Sequence, residues 1–221
     1  EGVNASVYEP TSKYQNVAKR TGVEKLTPAR ALVAEMVRRY SLLGIECSIL
    51  EVQKLGWFLE RGVKRFGGSD ALKFRFQANK YGPYSHNLTK LLDSLDGSYL
   101  RCDKRLADAD PLDLIWFNDA KYDRVQAYLN TGEGKQFSSV LEWASATIDG
   151  FESPLGMELL ATVDWMMQHD DIEPTVEGVM EGLKDWAGGE VAGQRKLKIF
   201  DRRLVAIALG QLQISNRLPA C

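Results

Sequence analysis

Apolar residues at Leu32, Val33, Met36, Val37, Tyr40 and Leu43 recur every three or four positions, the spacing that gathers them on one face of a helix. Thr27-Pro28 marks its start, because proline at the first helical position forfeits no useful N–H and the threonine oxygen can cap, and Gly44 closes it. Ser48 and Glu51 have the spacing of a capping box, in which each satisfies an end-of-helix donor of the other. Val52, Leu55, Phe58 and Leu59, with Trp57 nearby, form the buried stripe of this second helix, which should fail by Gly67-Gly68. The period then drops to two. Leu72, Phe74 and Phe76 alternate with Lys73, Arg75 and Gln77, which predicts a half-buried strand.

Lys80-Tyr81-Gly82-Pro83-Tyr84-Ser85-His86-Asn87-Leu88 joins a Gly-Pro turn, two aromatics and a helix start within nine residues. Gly82 can adopt backbone angles closed to other residues and Pro83 fixes its own, so a stiff strand-to-helix corner is expected. Ser85 caps a third helix with the stripe Leu88, Leu91, Leu92 and Leu95, ending at Gly97. Two short strands, 99–102 and 112–117, flank an Asp-rich loop at 103–110. Beyond Phe117 the periodicity is helical: a segment capped by Asn118 or Asp119, one through Phe137 and Ala144, and one opened by Ser153-Pro154. Pro174 begins a further helix through Trp186, and Asp201 caps a terminal one through Leu212.

The expected fold class is α+β, mostly helical, with a winged-helix-like first half carrying a small sheet and a C-terminal helical bundle. Residues 1–25 lack a sustained period and read as a linker, leaving 26–221 as one domain. The chain begins at Glu1 without methionine, so the expectation is a piece cut from a longer polypeptide.

Among the 221 residues 44% are apolar and 26% charged, enough for a substantial core, and no long apolar run or signal-like leader occurs. A cytoplasmic protein without a membrane partner is expected. The net charge of −2 conceals a strong polarity: residues 1–91 sum to +7, 92–190 to −14 and 191–221 to +5. An acidic middle is either a solvated surface or a face that docks on a basic partner.

Chemistry is sparse. Cys47, Cys102 and Cys221 form no C-x-x-C pair, and His86 and His169 are the two histidines, so neither a zinc site nor any cofactor is expected. Gly132-Glu133-Gly134-Lys135 lacks the rest of a phosphate loop. Asp170-Asp171 beside His169 invites a metal or acid–base reading, against the simpler one of a solvated helix end. Glu152 and Glu158 stand close to one helix start beside Phe151.

Four stretches together resemble the C-terminal, toxin-binding domain of the DarG antitoxin family of bacterial DarT/DarG systems. They are Leu26-Thr27-Pro28-Ala29-Arg30-Ala31 with Arg39-Tyr40; Leu50-Glu51-Val52-Gln53-Lys54-Leu55 with Phe58-Leu59; Lys80-Tyr81-Gly82-Pro83-Tyr84 with Asn87-Leu88; and Gly150-Phe151-Glu152-Ser153-Pro154 with Gly156-Met157-Glu158-Leu159-Leu160-Ala161. They cover 26–165, and Tyr8-Glu9-Pro10 looks like the start of the family's interdomain linker. The helix-then-Tyr-Gly-Pro-Tyr pattern is also similar to SocA-type, or Panacea, antitoxin domains.

The resemblance implies a non-enzymatic module that restrains a DarT-type DNA ADP-ribosyltransferase toxin, with the family's hydrolytic macrodomain lying in the full-length chain outside this one. Joined to the acidic middle, it suggests blockade of a single-stranded-DNA channel by nucleic-acid mimicry, without direct nucleic-acid binding by this chain. The candidate partner-binding residues are then Tyr81, Tyr84, Glu152, Glu158, Asp164 and Trp165, with Asp170 and Asp171 as a rim. The competing expectation is a winged-helix-like DNA-binding module that autoregulates a toxin–antitoxin operon. Against it, the third helix sets Lys90 against Asp93 and Asp96 and is a poor phosphate reader.

Overall fold

A computed structural model describes residues 22–42, 44–68 and 71–217. Most of the expected linker, together with Leu43 and Cys221, lies outside the described residues. The chain is α+β and mostly helical, with its strands in the first half and helices throughout the second.

In chain order the first half comprises α1 (Pro28–Leu42), β1 (Cys47–Ser48), α2 (Ile49–Arg65), β2 (Gln77–Asn79), β3 (Gly82–Tyr84), α3 (His86–Leu95), β4 (Leu100–Cys102) and β5 (Leu114–Phe117). One antiparallel sheet has the order β1-β5-β4, with Ile115 paired to Cys47 on one side and Cys102 on the other. A second pairing, β2 with β3, is a hairpin turned at Lys80-Tyr81. The second half holds α4 (Tyr122–Leu129), α5 (Gly132–Lys135), α6 (Ser138–Ile148), α7 (Pro154–His169), α8 (Val176–Gly182), α9 (Glu190–Ile199) and α10 (Arg202–Arg217).

α2 is the axis of the molecule. It packs against α1, α6 and α7 as well as β3, and is buried almost all round its girth. A helix in that position normally reads as apolar on every face; this one carries Glu51, Gln53, Lys54 and Glu60 inside, and each is tied to a different element. Glu51 Oε2 accepts from the Ser48 backbone N–H at 2.7 Å while Oε1 accepts from the Tyr40 hydroxyl, completing the expected capping box and pinning α1. Gln53 accepts from the Ser85 N–H and donates to the Ser85 carbonyl and Thr89 Oγ1, clasping the start of α3. Glu60 accepts from the Phe74 N–H at 2.9 Å. Buried polar groups need such partners, and here those partners fix the positions of neighbouring elements.

The strand expected at 72–76 does not form. Lys73 and Arg75 sit at φ 54° and 56°, in the left-handed region, which breaks the pleat a strand requires. The alternation survives as burial, with Leu72 and Phe74 inside and Lys73 and Arg75 outside, because the Phe74 N–H is satisfied by Glu60 instead of by a strand partner. The Gly-Pro corner is correspondingly the second strand of the β2–β3 hairpin. Ser85 caps α3 as expected, accepting from the Leu88 N–H at 3.0 Å. Ser153 caps α7 with Pro154 in its first turn. Thr175, rather than Pro174, caps the helix after it. No helix was expected at α9, whose stripe of apolar residues is too broken to announce itself.

Candidate functional site: a cavity at the hairpin

The hairpin, α2 and α3 enclose a cavity of about 350 Å³, within the range of small-ligand sites. Ile49, Leu50, Gln53 and Lys54 line it from one face of α2, the spacing of i, i+1, i+4 and i+5 placing them together. Asn79, Lys80, Tyr81, Gly82 and Tyr84 of the hairpin and Thr89 of α3 form the opposite side. Leu106, Ala107, Ala109 and Pro111 close it with apolar surface.

Gly82 lets the hairpin press against α7. Its φ of 89° suits glycine, and a methyl group there would come within 2.9 Å of Thr162 Oγ1. From the far side the Trp186 indole donates to the Asn79 carbonyl at 3.0 Å, holding β2 to the segment before α9.

Lys54 is 2% exposed, and its Nζ donates to the Pro83 carbonyl at 2.9 Å. Burial first, and then the nearby Lys196 charge, bring its pKa down to about 7, while Glu158 opposes the change. Behind Lys54, Glu158 Oε1 accepts from Lys196 Nζ and from the Arg195 guanidinium, each at 2.6 Å. Lys196 has no exposure at all, and burial lowers its pKa against the pull of Glu158. The Arg195 guanidinium and Lys80 Nζ each lie 4.9 Å from the centre of the Tyr81 ring, within cation–π range. Lys54, Lys196, Arg195 and Lys80 thus gather about Tyr81 and the Glu158 carboxylate.

The residues singled out in the sequence scatter over the molecule. Tyr81 and Tyr84 do line the cavity, and the Tyr84 hydroxyl is 3.0 Å from Thr89 Oγ1. Glu158 is enclosed, its charge committed to Lys196 and Arg195. Glu152 lies elsewhere, in a groove between α1 and α6 with Arg38, Arg39 and Glu142, so the two carboxylates do not act on one surface. Asp164 is also interior: its carboxylate accepts from the Trp57 indole at 2.8 Å and from Arg61 at 2.9 Å. Trp165 is buried and stacks on His169 at 3.9 Å. The inward face of α7 therefore carries the charges expected on its outside, because Arg61, Arg195 and Lys196 come from neighbouring helices to meet them.

Asp170 and Asp171 are exposed at the end of α7, and Asp171 is left-handed at φ 48°. Burial raises the Asp170 pKa despite His169. Stacking on Trp165 and the hydrogen-bond contact of Nδ1 with its carbonyl engage the His169 ring on the helix. Among the described residues no group of three or more His, Cys, Asp or Glu is placed to hold a metal ion, and no helix is long and apolar enough to cross a membrane.

Lys54, Arg195 and Lys196 escaped the sequence reading. Lys54 nevertheless carries a signal, standing four residues after Leu50 and four before Phe58 on the buried side of α2. A lysine in an apolar row either snorkels or meets a carboxylate and a carbonyl inside.

No family model matches the chain. Over 217 residues it is 30% identical to a DNA ADP-ribosyl glycohydrolase of Thermus aquaticus, an alignment that takes in 97% of this chain and 53% of that protein. Proteins of the same name from Mycobacterium bovis and Mycobacterium tuberculosis are 26% identical over 226 residues, covering 95% of this chain and 59% of theirs. The chain spans little more than half the length of these curated relatives. Their name is that of an enzyme acting on ADP-ribosylated DNA, and it overturns the expectation of a non-enzymatic antitoxin module with a DarT-type toxin as partner and no contact with nucleic acid. The operon-autoregulating alternative is set aside with it.

Proposed function

We infer that this chain is part of a DNA ADP-ribosyl glycohydrolase, that residues 26–221 act as one unit within it, and that the hairpin cavity receives the modified DNA. The observation that carries the reading is the similarity to the Thermus aquaticus glycohydrolase along 97% of the chain. A cytoplasmic location fits a substrate that is DNA.

The geometry supports a substrate-holding role. Tyr81 and Tyr84 both line the cavity, and Lys80 and Arg195 each lie 4.9 Å from the centre of the Tyr81 ring; aromatic side chains with cations at hand suit unstacked bases and their phosphates. The interior carboxylates Glu51, Glu158 and Asp164 are engaged by hydroxyl, indole or cationic donors that hold the fold together. The part of the cavity in cleavage of the glycosidic bond is to hold the strand that is cleaved.

The test is fluorescence anisotropy of the chain with a single-stranded oligonucleotide carrying ADP-ribose and with its unmodified counterpart, alongside chromatography for released ADP-ribose. Preferential binding of the modified strand, weakened at least tenfold by Tyr81→Ala with Tyr84→Ala, or release of ADP-ribose by the chain, is the expected outcome. A chain that neither prefers the modified strand nor releases ADP-ribose overturns the reading.

A further inference from the structure

We propose that the cavity is a phosphate-binding site, in which the Lys54 ammonium seats one anionic phosphate group while Lys80 guards the rim and Tyr81 and Tyr84 form the walls. The proposal rests on the glycohydrolase reading for its choice of ligands, and on the site's own geometry for everything else.

Two independent features point to an anion. The first is unused donor capacity: a lysine ammonium has three N–H groups, and among the described residues the Pro83 carbonyl is the acceptor of one, at 2.9 Å. The side chain is 2% exposed and borders the cavity, so the cavity is the space from which a further acceptor reaches it. The second is the local charge balance. Lys54, Lys196 and Arg195 surround Glu158, and Glu158 Oε1 already takes hydrogen bonds from the latter two. Charging Lys54 brings this cluster to three positive charges against the one negative charge of Glu158, with Lys54 and Lys196 both buried. An entering phosphate supplies both the acceptors and the counter-charge, in the way buried charges are normally compensated.

This arrangement makes binding depend on pH. The groups facing Lys54 are Glu158 from α7, Lys196 with Arg195 behind it from α9, and Tyr81, Tyr84 and Lys80 from the hairpin; Leu106, Ala107, Ala109 and Pro111 line the opposite wall with side chains that do not titrate, and the carboxylates of the same segment, Asp108 and Asp110, are not among the lining residues. With its pKa near 7, Lys54 is cationic below neutrality and discharges above it. Affinity for an anion is therefore full in mild acid and falls by about tenfold for each pH unit well above 7.

The phosphate has two sources in this setting, the pyrophosphate of ADP-ribose and the phosphodiesters of the DNA backbone. Both keep a constant charge between pH 6 and 8.5, so a change in affinity over that range reports on the protein. Isothermal titration of the chain with ADP-ribose, with an unmodified single-stranded oligonucleotide and with adenosine, at pH 6 and 8.5 and fixed ionic strength, separates them. Binding of one or both phosphate ligands at pH 6, weaker by tenfold or more at pH 8.5, absent for adenosine and lost in Lys54→Met, is expected. Protection of Lys54 from amine acetylation by the bound ligand, read by mass spectrometry on the unaltered chain, keeps the test independent of how the variant folds. Absence of phosphate-ligand binding at pH 6, equal affinity at both pH values, undiminished binding by Lys54→Met, or an unprotected Lys54 overturns the proposal. Preference for the modified strand that is indifferent to Lys54 sinks this site and leaves the glycohydrolase reading standing. Lys54-dependent phosphate binding without recognition of modified DNA does the reverse.

Discussion

Lys196 Nζ and Glu158 Oε1 stand 2.6 Å apart where the lysine has no solvent exposure at all. Breaking such a pair from one side leaves an uncompensated charge inside, which costs about 3–5 kcal/mol, whereas removing both charges is often neutral. Glu158→Gln should therefore lower the midpoint of urea unfolding strongly, and Glu158→Gln combined with Lys196→Met should regain the larger part of the loss. Equal loss in the single and double variants would show that packing, not charge, is at stake.

Lys54 sets a stability dependence of its own. Its folded pKa of about 7 lies below the roughly 10.4 of an unfolded lysine. Between those values the unfolded chain holds a proton that the folded chain lacks, so the contribution of this group to stability rises with pH through the window and is lowest below pH 7. Lys54→Met removes the effect. The stability of the variant relative to the parent chain should thus be greatest near pH 6.5 and shrink by roughly 2–3 kcal/mol by pH 9. Urea midpoints of the two chains at both pH values provide the measurement.

Asp164 joins α7 to α2 through the Trp57 indole and the Arg61 guanidinium. Asp164→Asn keeps the shape and withdraws the charge that strengthens both bonds, for an expected loss of about 2 kcal/mol in denaturant unfolding. Asp164→Leu should cost more, since it leaves Trp57 Nε1 and the largely buried Arg61 without an acceptor.

Gly82→Ala combines a strained backbone with a methyl group 2.9 Å from Thr162 Oγ1. The expected cost is about 1–3 kcal/mol. Because the hairpin must move away from α7 to relieve the contact, amide exchange should accelerate at Gln77 to Tyr84 more than in α1. Uniform exchange across both would contradict the local account.

Much of the scaffold was legible in the amino-acid pattern. Caps are short-range devices, and Ser48 with Glu51, Ser85 and Ser153 each act as their spacing announces. The apolar stripes of α1 and α3 equally mark their buried faces. The pattern misled where a partner distant in sequence decides the outcome. Phe74 turns away from strand pairing because Glu60 takes its N–H, and Glu158 and Asp164 turn inward because Lys196 and Arg61 are there to receive them. Acidic residues on a helix point by default to a surface, and nothing local distinguishes a carboxylate awaiting solvent from one awaiting a lysine 38 residues later. The cavity was half visible in Tyr81 and Tyr84 and half hidden in Lys54, whose place in an apolar row was the available clue.

The bond from Trp186 to Asn79 spans 107 residues. On a ribosome the hairpin is made long before Trp186, Arg195 and Lys196 leave the exit tunnel, so the chamber around Lys54 is finished only when the last quarter of the chain has emerged. A nascent chain stalled ahead of that point would carry the floor and rings of the chamber without the clamp and charges that shape it.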